Sequence, residues 1–525
     1  MALLFPSVNP LESIYMNKFS VQRPLRIAID LTPLLPEGQN GGVKHFIFEY
    51  IMWIGQQRRV PVQFVFLTRR SSHADVRSLA RCHDEMICLL DDSSGDLPCT
   101  RDNSPREWAC HDAPPNLVAN LRADVLYCPF NMCTWSYPGV PVLATCVDVL
   151  HRDYPFTLTS TEIDCRERIF QETIRVADCI QCISQYTISR VAHHYGFSGD
   201  HMFCTPIAIH DRLLTAQPAQ TCSPAGRPYF LYPANAWKHK NHEVLLLAYG
   251  IYRSKAHAEA WDLILTGHDD AAMQSLRKLA ARLGLETSVR FLGYLSNQDY
   301  PTVWREAGAL VFPSLHEGFG IPLVEAMAFG LPVICSQIGP LPEVGGDACI
   351  YVDATKPLDL AEAMGRIAGS TALRDKLRQQ GYKQLESFSF ERDASHFLDE
   401  LVNCASKPAR QTRKGFYPDG WTAPQAAVNT PNWGRAARLE FELQPMPSVR
   451  QIWVYHGADL IGSAKIPKGA AKRLQFPFWP DARALTLRVP GAAALSETDH
   501  RVCGVHFCSL RLRDDKGAEI DLLAP

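Results

Sequence analysis

The chain has 525 residues, of which 46% are hydrophobic and 21% charged, a composition typical of an ordinary globular protein. Its formal net charge of −2 argues against a general nucleic-acid-binding surface. No apolar run reaches the length of a membrane span, and the first residues lack the basic start and long apolar core of a signal peptide. At roughly 150 residues per domain, the length predicts three or four domains.

The 17 cysteines are odd in number and irregularly spaced, which does not fit a disulfide framework. Several lie in or beside apolar, strand-like runs, where cysteine packs as a small hydrophobe: Cys128, Cys146, Cys179, Cys182, Cys335 and Cys349. Cys179 and Cys182 form a C-x-x-C pair, but neither a second pair nor histidines at zinc spacing accompany it. Core packing is therefore predicted, with a metal or redox site as the alternative, in a reduced, cytoplasmic protein.

The first part of the chain alternates strands and helices. After an N-terminal extension (1–23), Arg26–Leu31 reads as a strand that runs into a loop containing Gly41 and Gly42, and HFIFEYIMWIG then has helical apolar spacing. A strand, a glycine-bearing loop and a helix open a doubly wound sheet. Further strands are predicted at 61–68, 123–130, 140–148 and 177–186, with a polar, mobile insertion at about 90–115.

A second strand–loop–helix series starts at Arg227. Its predicted strands are 227–235, 262–267, 289–294, 308–314 and 332–336, with helices at 271–284 and 358–369. Such alternation predicts a parallel sheet with right-handed crossovers. The predicted boundaries are an α/β domain at 24–215, a polar linker at 216–225, and a second α/β domain at 226–385.

The pattern changes after Lys407. A basic linker (406–424) leads into segments in which apolar and polar residues alternate, such as ARLEFELQ and RQIWVYH. Period-two alternation with proline and glycine turns predicts an antiparallel β-sandwich at 425–525. Four tryptophans are predicted either to fill its core or to present a carbohydrate-binding platform, with an oligomerisation surface as a third alternative: Trp421, Trp433, Trp453 and Trp479.

The segment Ser314–Asp347 carries the most functional information. A buried strand ends at Pro313, a Gly-Phe-Gly-Ile-Pro turn follows, and Pro322 suits the first turn of a helix. Gly318 and Gly320 would let the backbone approach a ligand, and the helix N-terminus would favour an anion such as a pyrophosphate. Glu317 would lie beside that anion, and Glu325 about two turns away, where it can accept hydrogen bonds from sugar hydroxyls.

This EGFG-IP-xx-EAMAxGxPVI run resembles the signature of retaining GT-B glycosyltransferases, in particular glycosyltransferase family 4, over residues 24 to 405. The resemblance implies two Rossmann-like domains facing a cleft, with 386–405 as a helix that crosses back to the first domain. It also implies that Glu317 contacts the donor sugar and Glu325 the ribose. Gly318, Phe319, Gly320 and Ile321 would line the donor site.

Two positions depart from the family pattern. Lys240, in YPANAWKHKNHEV, matches a diphosphate-binding lysine, but Asn235 stands where an arginine is common, so a bidentate grip on phosphate is lost. In the loop Thr145–Pro155, Val147 replaces the family's histidine before Asp148. Asp148 is predicted to orient substrate or stabilise its loop. His151 is predicted to be either an additional site histidine or a surface residue.

Other donor-site residues follow from the resemblance. Gly41 and Gly42 match a loop that reaches the phosphates and the acceptor, and Gly267, Gly293 and Tyr294 lie at strand ends that line the base pocket. No D-x-D sits at a strand end, and no dinucleotide-binding glycine fingerprint is present. The resemblance implies metal-independent, front-face retaining transfer with no cofactor beyond the donor substrate.

The sequence therefore predicts a hexosyltransferase that uses a nucleoside diphosphate sugar, with a GDP-mannose-type donor favoured by the HKNH loop. The acceptor would be a glycan or lipid-linked oligosaccharide in polysaccharide biosynthesis, as for an O-antigen or capsule. Peripheral association with the inner face of the membrane and homo-oligomerisation stay open. The rival hypotheses are a GT-B scaffold subunit that has lost catalysis and, less favoured, a sugar-nucleotide epimerase or starch-type synthase.

Overall fold

The structure is a computed structural model. It describes residues 23–35, 42–90, 107–109, 117–208, 228–256, 259–296, 299–430, 436–457, 459–479, 484–490, 492–494 and 501–523. Gly41, Trp433, the predicted linker at 216–225 and most of the predicted insertion at 90–115 lie outside these ranges.

The first sheet has eight strands in the order β4-β3-β2-β1-β5-β6-β7-β8. Its strands are β1 Leu25–Asp30, β2 Val62–Arg69, β3 Glu85–Leu90, β4 Glu107–Ala109, β5 Val125–Cys128, β6 Val142–Cys146, β7 Cys179–Cys182 and β8 Met202–Cys204. The registers from β4 through β6 are parallel. Near-continuous burial of β1, β2, β5 and β6 reflects a sheet covered on both faces.

Helices alternate with these strands, as the sequence predicts. They are Gly42–Gln56, Arg70–Arg77, Leu117–Asn120, Leu150–Asp153, Ser160–Val176 and Gln185–Tyr195, with short 3₁₀ turns at Pro155–Thr157 and Gly199–His201. The sequence analysis did not identify β3 or the helix Arg70–Arg77, whose residues are mostly polar. Gly196, in the left-handed conformation at φ 63°, ends the helix Gln185–Tyr195.

The second sheet has six parallel strands in the order β11-β10-β9-β12-β13-β14. Its strands are β9 Tyr229–Pro233, β10 Asp262–Thr266, β11 Val289–Phe291, β12 Ala309–Phe312, β13 Val333–Ser336 and β14 Cys349–Val352. Its helices are His242–Ala256, Ala271–Arg282, Tyr300–Glu306, Ile321–Ala328, Leu341–Gly345, Pro357–Gly369, Thr371–Leu385 and Phe390–Ser406, with 3₁₀ turns at Lys238–Lys240 and Gly346–Ala348. The strand order reverses between β9 and β12, where ligands bind in open parallel sheets.

The C-terminal region is an antiparallel β-sandwich. One sheet has the order β15-β16-β21-β18-β19, the other β20-β17-β24-β25, and β22 pairs with β23. The strands are β15 Arg413–Phe416, β16 Thr422–Asn429, β17 Ala437–Leu443, β18 Arg450–His456, β19 Asp459–Ile466, β20 Lys472–Phe478, β21 Ala484–Arg488, β22 Ala493–Ala494, β23 Val502–Cys503, β24 Phe507–Arg513 and β25 Glu519–Asp521. Leu439, Phe441, Val454 and Leu487 centre its apolar core. Strand β15 lies inside the predicted linker, so the sandwich begins earlier than predicted.

The tryptophans of the sandwich do not share one role. Trp421 packs against the core, whereas Trp453 is 37% and Trp479 58% exposed. Core filling is therefore wrong for Trp453 and Trp479. The cysteines follow the sequence prediction more closely, because Cys128, Cys146, Cys182, Cys335 and Cys349 are free thiols buried in the interior.

The chain divides into two compact units. One unit contains 1–144, 169–180 and 398–525; the other contains 145–168 and 181–397. The division differs from the predicted boundaries in assigning residues 145–168 and 181–215 to the second unit, and it passes through the helices Ser160–Val176 and Phe390–Ser406. None of the helices among the described residues is long and apolar enough to cross a membrane.

Within the first unit, the sandwich packs on the α/β portion through buried polar contacts. The hydroxyls of Tyr137 and Thr486 share a hydrogen bond, and both side chains are almost fully buried. The Lys414 ammonium donates to the carbonyls of Thr134 at 3.0 Å and Ser136 at 2.9 Å. Burial lowers the pKa of Lys414, so these carbonyls hold a desolvated charge.

We expect Tyr137→Phe, Thr486→Val and the double variant to lower stability by similar amounts, because each removes the same buried hydrogen bond. The coupling energy in this double-mutant cycle should be about 0.5–1.5 kcal/mol. Urea unfolding followed by fluorescence measures it. Additive single effects would show that the hydroxyl pair does not stabilise this packing.

Candidate active site

A buried ion pair lies at the carboxyl edge of the second sheet. Lys240 closes the 3₁₀ turn after β9, and Glu317 lies in the loop after the neighbouring strand β12. The Lys240 Nζ and Glu317 Oε1 are 2.6 Å apart, and the side chains are only 14% and 11% exposed. The structure thus brings together two residues that the sequence predicts to act on the donor.

Backbone and side-chain contacts fix these two loops against each other. The Leu315 amide donates to the His239 carbonyl at 2.7 Å. Asn241 has a left-handed backbone (φ 61°), and its Nδ2 donates to the carbonyls of Pro313 at 3.1 Å and Ala354 at 2.8 Å. The sequence assigned Asn241 no role of its own within the HKNH motif; the structure shows that it holds the β9 and β12 loops in register.

The glycines of the EGFG turn are required by contacts within the protein. A Cβ on Gly318 would lie 1.8 Å from the Val147 carbonyl oxygen, and one on Gly320, at φ 104°, would lie 2.6 Å from Leu341. The Gly318 carbonyl accepts hydrogen bonds from Ser184 at 2.8 Å and Thr187 at 3.3 Å. These contacts place the turn directly before the helix Ile321–Ala328, whose N-cap is Gly320.

The remaining residues of the motif are oriented by burial. Phe319 is 2% exposed and meets Phe388 edge-on, with 5.9 Å between ring centroids, so it anchors the turn. Ile321 is half-buried at the start of the helix. Glu325, on the same helix, is 8% exposed, and its Oε2 accepts a hydrogen bond from the Tyr300 hydroxyl at 3.0 Å.

A second group of predicted donor-site residues gathers at the ends of β9, β10 and β11. The Asn235 side-chain oxygen accepts from the His268 amide at 2.9 Å, and the Gly267 amide donates to the Gly293 carbonyl at 3.0 Å. The Tyr294 ring stacks on His268 at 4.9 Å with 14° between the planes, and Tyr294 is 55% exposed. Asn235 thus supports a loop that presents an aromatic face.

Close backbone packing explains Gly267. Its φ is 137°, and a Cβ there would lie 2.6 Å from the Ala234 carbonyl oxygen. Gly293, at φ 74°, has open space where a Cβ would be. Of these two glycines, only Gly293 therefore leaves space beside its backbone for a bound ligand.

Asp148 lies next to the EGFG turn. Its Oδ1 accepts from the Leu150 amide at 2.9 Å and lies 3.6 Å from Arg166 Nη1. Burial favours a higher pKa for Asp148, but His316, Arg166 and the Leu150 amide outweigh it and lower the pKa below its usual value. Asp148 is therefore an anion bound by the Leu150 amide of its own loop and close to Arg166.

His151 is an interior residue with 2% exposure, so the alternative of a surface histidine is wrong. Its Nε2 lies 2.7 Å from the Tyr195 hydroxyl and 3.4 Å from Glu167. Burial lowers the pKa of His151 even though the negative charge of Glu167 opposes this shift, and the lowered pKa favours the neutral ring.

Gly42, another predicted donor-site residue, begins the helix Gly42–Gln56 in the first unit.

The sequence analysis missed Asp153, a charge centre beside the site. Its carboxylate accepts from Tyr186 at 3.0 Å, from Arg190 at 2.6 and 2.8 Å and from His194 at 2.7 Å, and it lies 3.4 Å from His316. The side chain is only 4% exposed. Burial favours a higher pKa, but the hydrogen bonds led by His316 and Arg190 hold the pKa of Asp153 well below its usual range.

His239 was also missed, although it lies in the HKNH motif. Burial, reinforced by the adjacent Lys240 charge, lowers the pKa of His239 to about 3. The ring is therefore neutral near pH 7. A neutral His239 ring next to Lys240 does not compete with Lys240 for the negative charge of Glu317.

Comparison with known proteins finds that this chain is similar to glycosyltransferases. Residues 215–384, which include the second α/β portion, match the family model "Glycosyl transferases group 1". The O-antigen chain mannosyltransferase B of Escherichia coli is 31% identical over 43% of this chain and 60% of its own. The mannosyltransferase RfbU of Salmonella typhimurium is 38% identical over 24% of this chain and 34% of its own. The chain thus spans about a third to three fifths of these relatives' length.

Solved structures confirm the two-sheet GT-B fold. A sucrose-phosphate synthase from Thermosynechococcus elongatus has a TM-score of 0.54 at 19% identity, with 73% of this chain and 99% of that chain covered. The Anabaena protein HepE, solved with UDP and glucose, has a TM-score of 0.54 at 15% identity, with 72% and 100% covered. At these identities the likeness concerns the fold alone.

We expect Asp153→Asn to destabilise the protein by ~1–3 kcal/mol or more, because Arg190 and His194 lose their carboxylate. Since the folded pKa of Asp153 lies below its ordinary value of 3.8, its stabilisation is complete above that value and is lost as the pH falls through the folded pKa. The stability difference between wild type and variant should therefore shrink below about pH 4.

Thermal unfolding between pH 3 and 7 measures this difference. The exposed Asp164, on the helix Ser160–Val176, provides the matched control Asp164→Asn, which should unfold like the wild type. Equal stability of Asp153→Asn and wild type at pH 7 would contradict the prediction.

Proposed function

We propose that this protein is a retaining, metal-independent glycosyltransferase that moves a hexose from a nucleoside diphosphate sugar to a glycan or lipid-linked glycan acceptor. The observation that carries the proposal is the ion pair between Lys240 and Glu317, buried at the strand-order reversal and directly before the helix Ile321–Ala328. A cation, a carboxylate and a helix N-terminus at one strand edge suit a sugar joined to a diphosphate.

The pair has a specific role in this mechanism. An incoming diphosphate competes with Glu317 for the Lys240 ammonium, and Lys240 then donates to the leaving group as the sugar–oxygen bond breaks. Glu317, released from Lys240, accepts hydrogen bonds from the sugar hydroxyls. The acceptor oxygen bonds to the anomeric carbon on the same face, and its proton passes to a diphosphate oxygen.

The nucleoside would lie toward the other two residue groups. The exposed Tyr294 ring, stacked on His268, offers a flat surface to the base, and Gly293 leaves open space beside it. Glu325, held by Tyr300, would accept hydrogen bonds from the ribose hydroxyls. This arrangement assigns Asn235 a supporting role for the loop rather than a phosphate contact.

A mannose-type donor carried by GDP is favoured because the relatives from Escherichia coli and Salmonella typhimurium are mannosyltransferases of O-antigen chains. We therefore propose that the acceptor belongs to polysaccharide biosynthesis and that transfer takes place on the cytoplasmic side of the membrane, where nucleotide sugars are made.

We expect Lys240→Met and Glu317→Gln each to lower kcat by ~10²–10³, because each removes a charged group that stabilises the transition state. The measurement is donor turnover, including slow hydrolysis, across GDP-, UDP-, ADP- and dTDP-sugars. Matched controls are Lys238→Met in the same 3₁₀ turn and Glu243→Gln in the next helix, both exposed. Donor binding that neither substitution affects, with no turnover in the wild type, would favour the scaffold hypothesis.

We expect Tyr294→Ala to weaken nucleoside diphosphate binding by ~1–3 kcal/mol, the usual contribution of base stacking on an aromatic ring. Isothermal titration with the free nucleoside diphosphate gives the dissociation constant. Tyr382→Ala, which removes a tyrosine that is 45% exposed on the helix Thr371–Leu385, is the control. Unchanged affinity in Tyr294→Ala would place the base elsewhere.

A further inference from the structure

The outward face of the five-stranded sandwich sheet carries an aligned row of side chains. In the register, Gln425 of β16 is opposite Arg488 of β21, and Arg488 is opposite Trp453 of β18. Directly opposite residues have Cβ atoms about 4.5–5.5 Å apart, so the three side chains are immediate neighbours. Their strand neighbours Ile452, Val454 and Leu487 point into the core, which leaves this row facing out.

The row lines a pocket of about 290 Å³, near the lower limit of small-ligand sites. Its other walls are Pro424, Val489, Pro490, Ala492 and Val502. Trp453 is 37% and Val502 47% exposed, so the indole is accessible rather than buried by the sandwich. A rigid aromatic surface with adjacent polar groups is therefore present.

Two polar side chains of this row, Gln425 and Arg488, line the pocket. Within the described ranges, Arg488 forms no ion pair and the Gln425 amide no hydrogen bond. Several other arginines of the sandwich pair with carboxylates, as Arg473 does with Glu442, Arg501 with Asp419 and Arg513 with Glu519. Among the described residues, no partner therefore competes with a ligand for the donors beside Trp453.

The adjacent row of side chains on the same face of the sheet is covered by the α/β portion, in contrast to the row that contains Trp453. There Ala427, Thr486 and Tyr455 are opposite one another, and Thr486 is covered by Tyr137 of the α/β portion. The α/β contact thus uses one row and leaves the next one open. Eight residues line the pocket, against the roughly 20–30 that each partner contributes to a stable protein interface, which argues against a second copy of the chain.

We propose that this pocket is a binding site for a neutral hexose oligosaccharide. A pyranose ring has an apolar C–H face that packs on an indole, and equatorial hydroxyls that pair with guanidinium and amide groups. The choice of a hexose chain rests on the proposed function, since a protein that extends a glycan meets its own product. The pocket on the sandwich would then bind the glycan that the protein extends.

The test is isothermal titration of the full chain, without nucleotide, against linear oligosaccharides of mannose, glucose and galactose. We expect at least one series to bind, and Trp453→Ala and Arg488→Ala each to weaken its binding about tenfold or more. Trp479→Ala is the matched control, because Trp479 is also exposed but follows β20 of the other sheet. It should bind like the wild type.

Several results would overturn the proposal: no binding of any series by the wild type, unchanged binding in Trp453→Ala and Arg488→Ala, or an equal loss in Trp479→Ala. Because Trp453 is exposed and the half-buried Arg488 forms no ion pair within the described residues, thermal unfolding should match the wild type. Binding without nucleotide is independent of transfer. Glu317→Gln should therefore keep it, and failure of the proposed function would appear only in the turnover assay.

Discussion

The close packing of Gly318 against the Val147 carbonyl is the constraint on which the candidate site depends. A Cβ at 1.8 Å from that oxygen is impossible without moving one of the two loops. Because Ser184 and Thr187 also hold the Gly318 carbonyl, the turn has little freedom. Glu317, the preceding residue, is therefore presented to Lys240 in one position.

Charge balance around this turn is achieved within the protein. Asp153 is surrounded by donors, Asp148 remains ionised beside Arg166, and His239 remains neutral. Within the part of the chain that the structure describes, the Lys240 cation forms its ion pair with Glu317 alone. A site prepared in this way needs little reorganisation when an anionic group replaces that carboxylate, which is the basis of electrostatic preorganisation.

Sequence patterns predicted the elements that follow local rules. Burial of apolar runs identified most strands, and the motif from Glu317 to Glu325 marked the loop and helix that the structure places at the strand-order reversal. Asp153 was missed because its partners come from residues 186, 190, 194 and 316, which no local spacing connects. Likewise, the exposure of Trp453 depends on strand register, which alternation alone does not supply for a sandwich.

The contact between Tyr137 and Thr486 makes the sandwich an integral part of the α/β portion on which it packs. A chain shortened to end at Ser406 would lose Thr486, the Lys414 ammonium that caps two carbonyls, and the Arg410 amide that donates to Asp178. Buried polar groups left without partners lower the stability of the folded state. The sandwich therefore contributes to the stability of the α/β portion on which it packs, so the two cannot be separated without a cost in folding free energy.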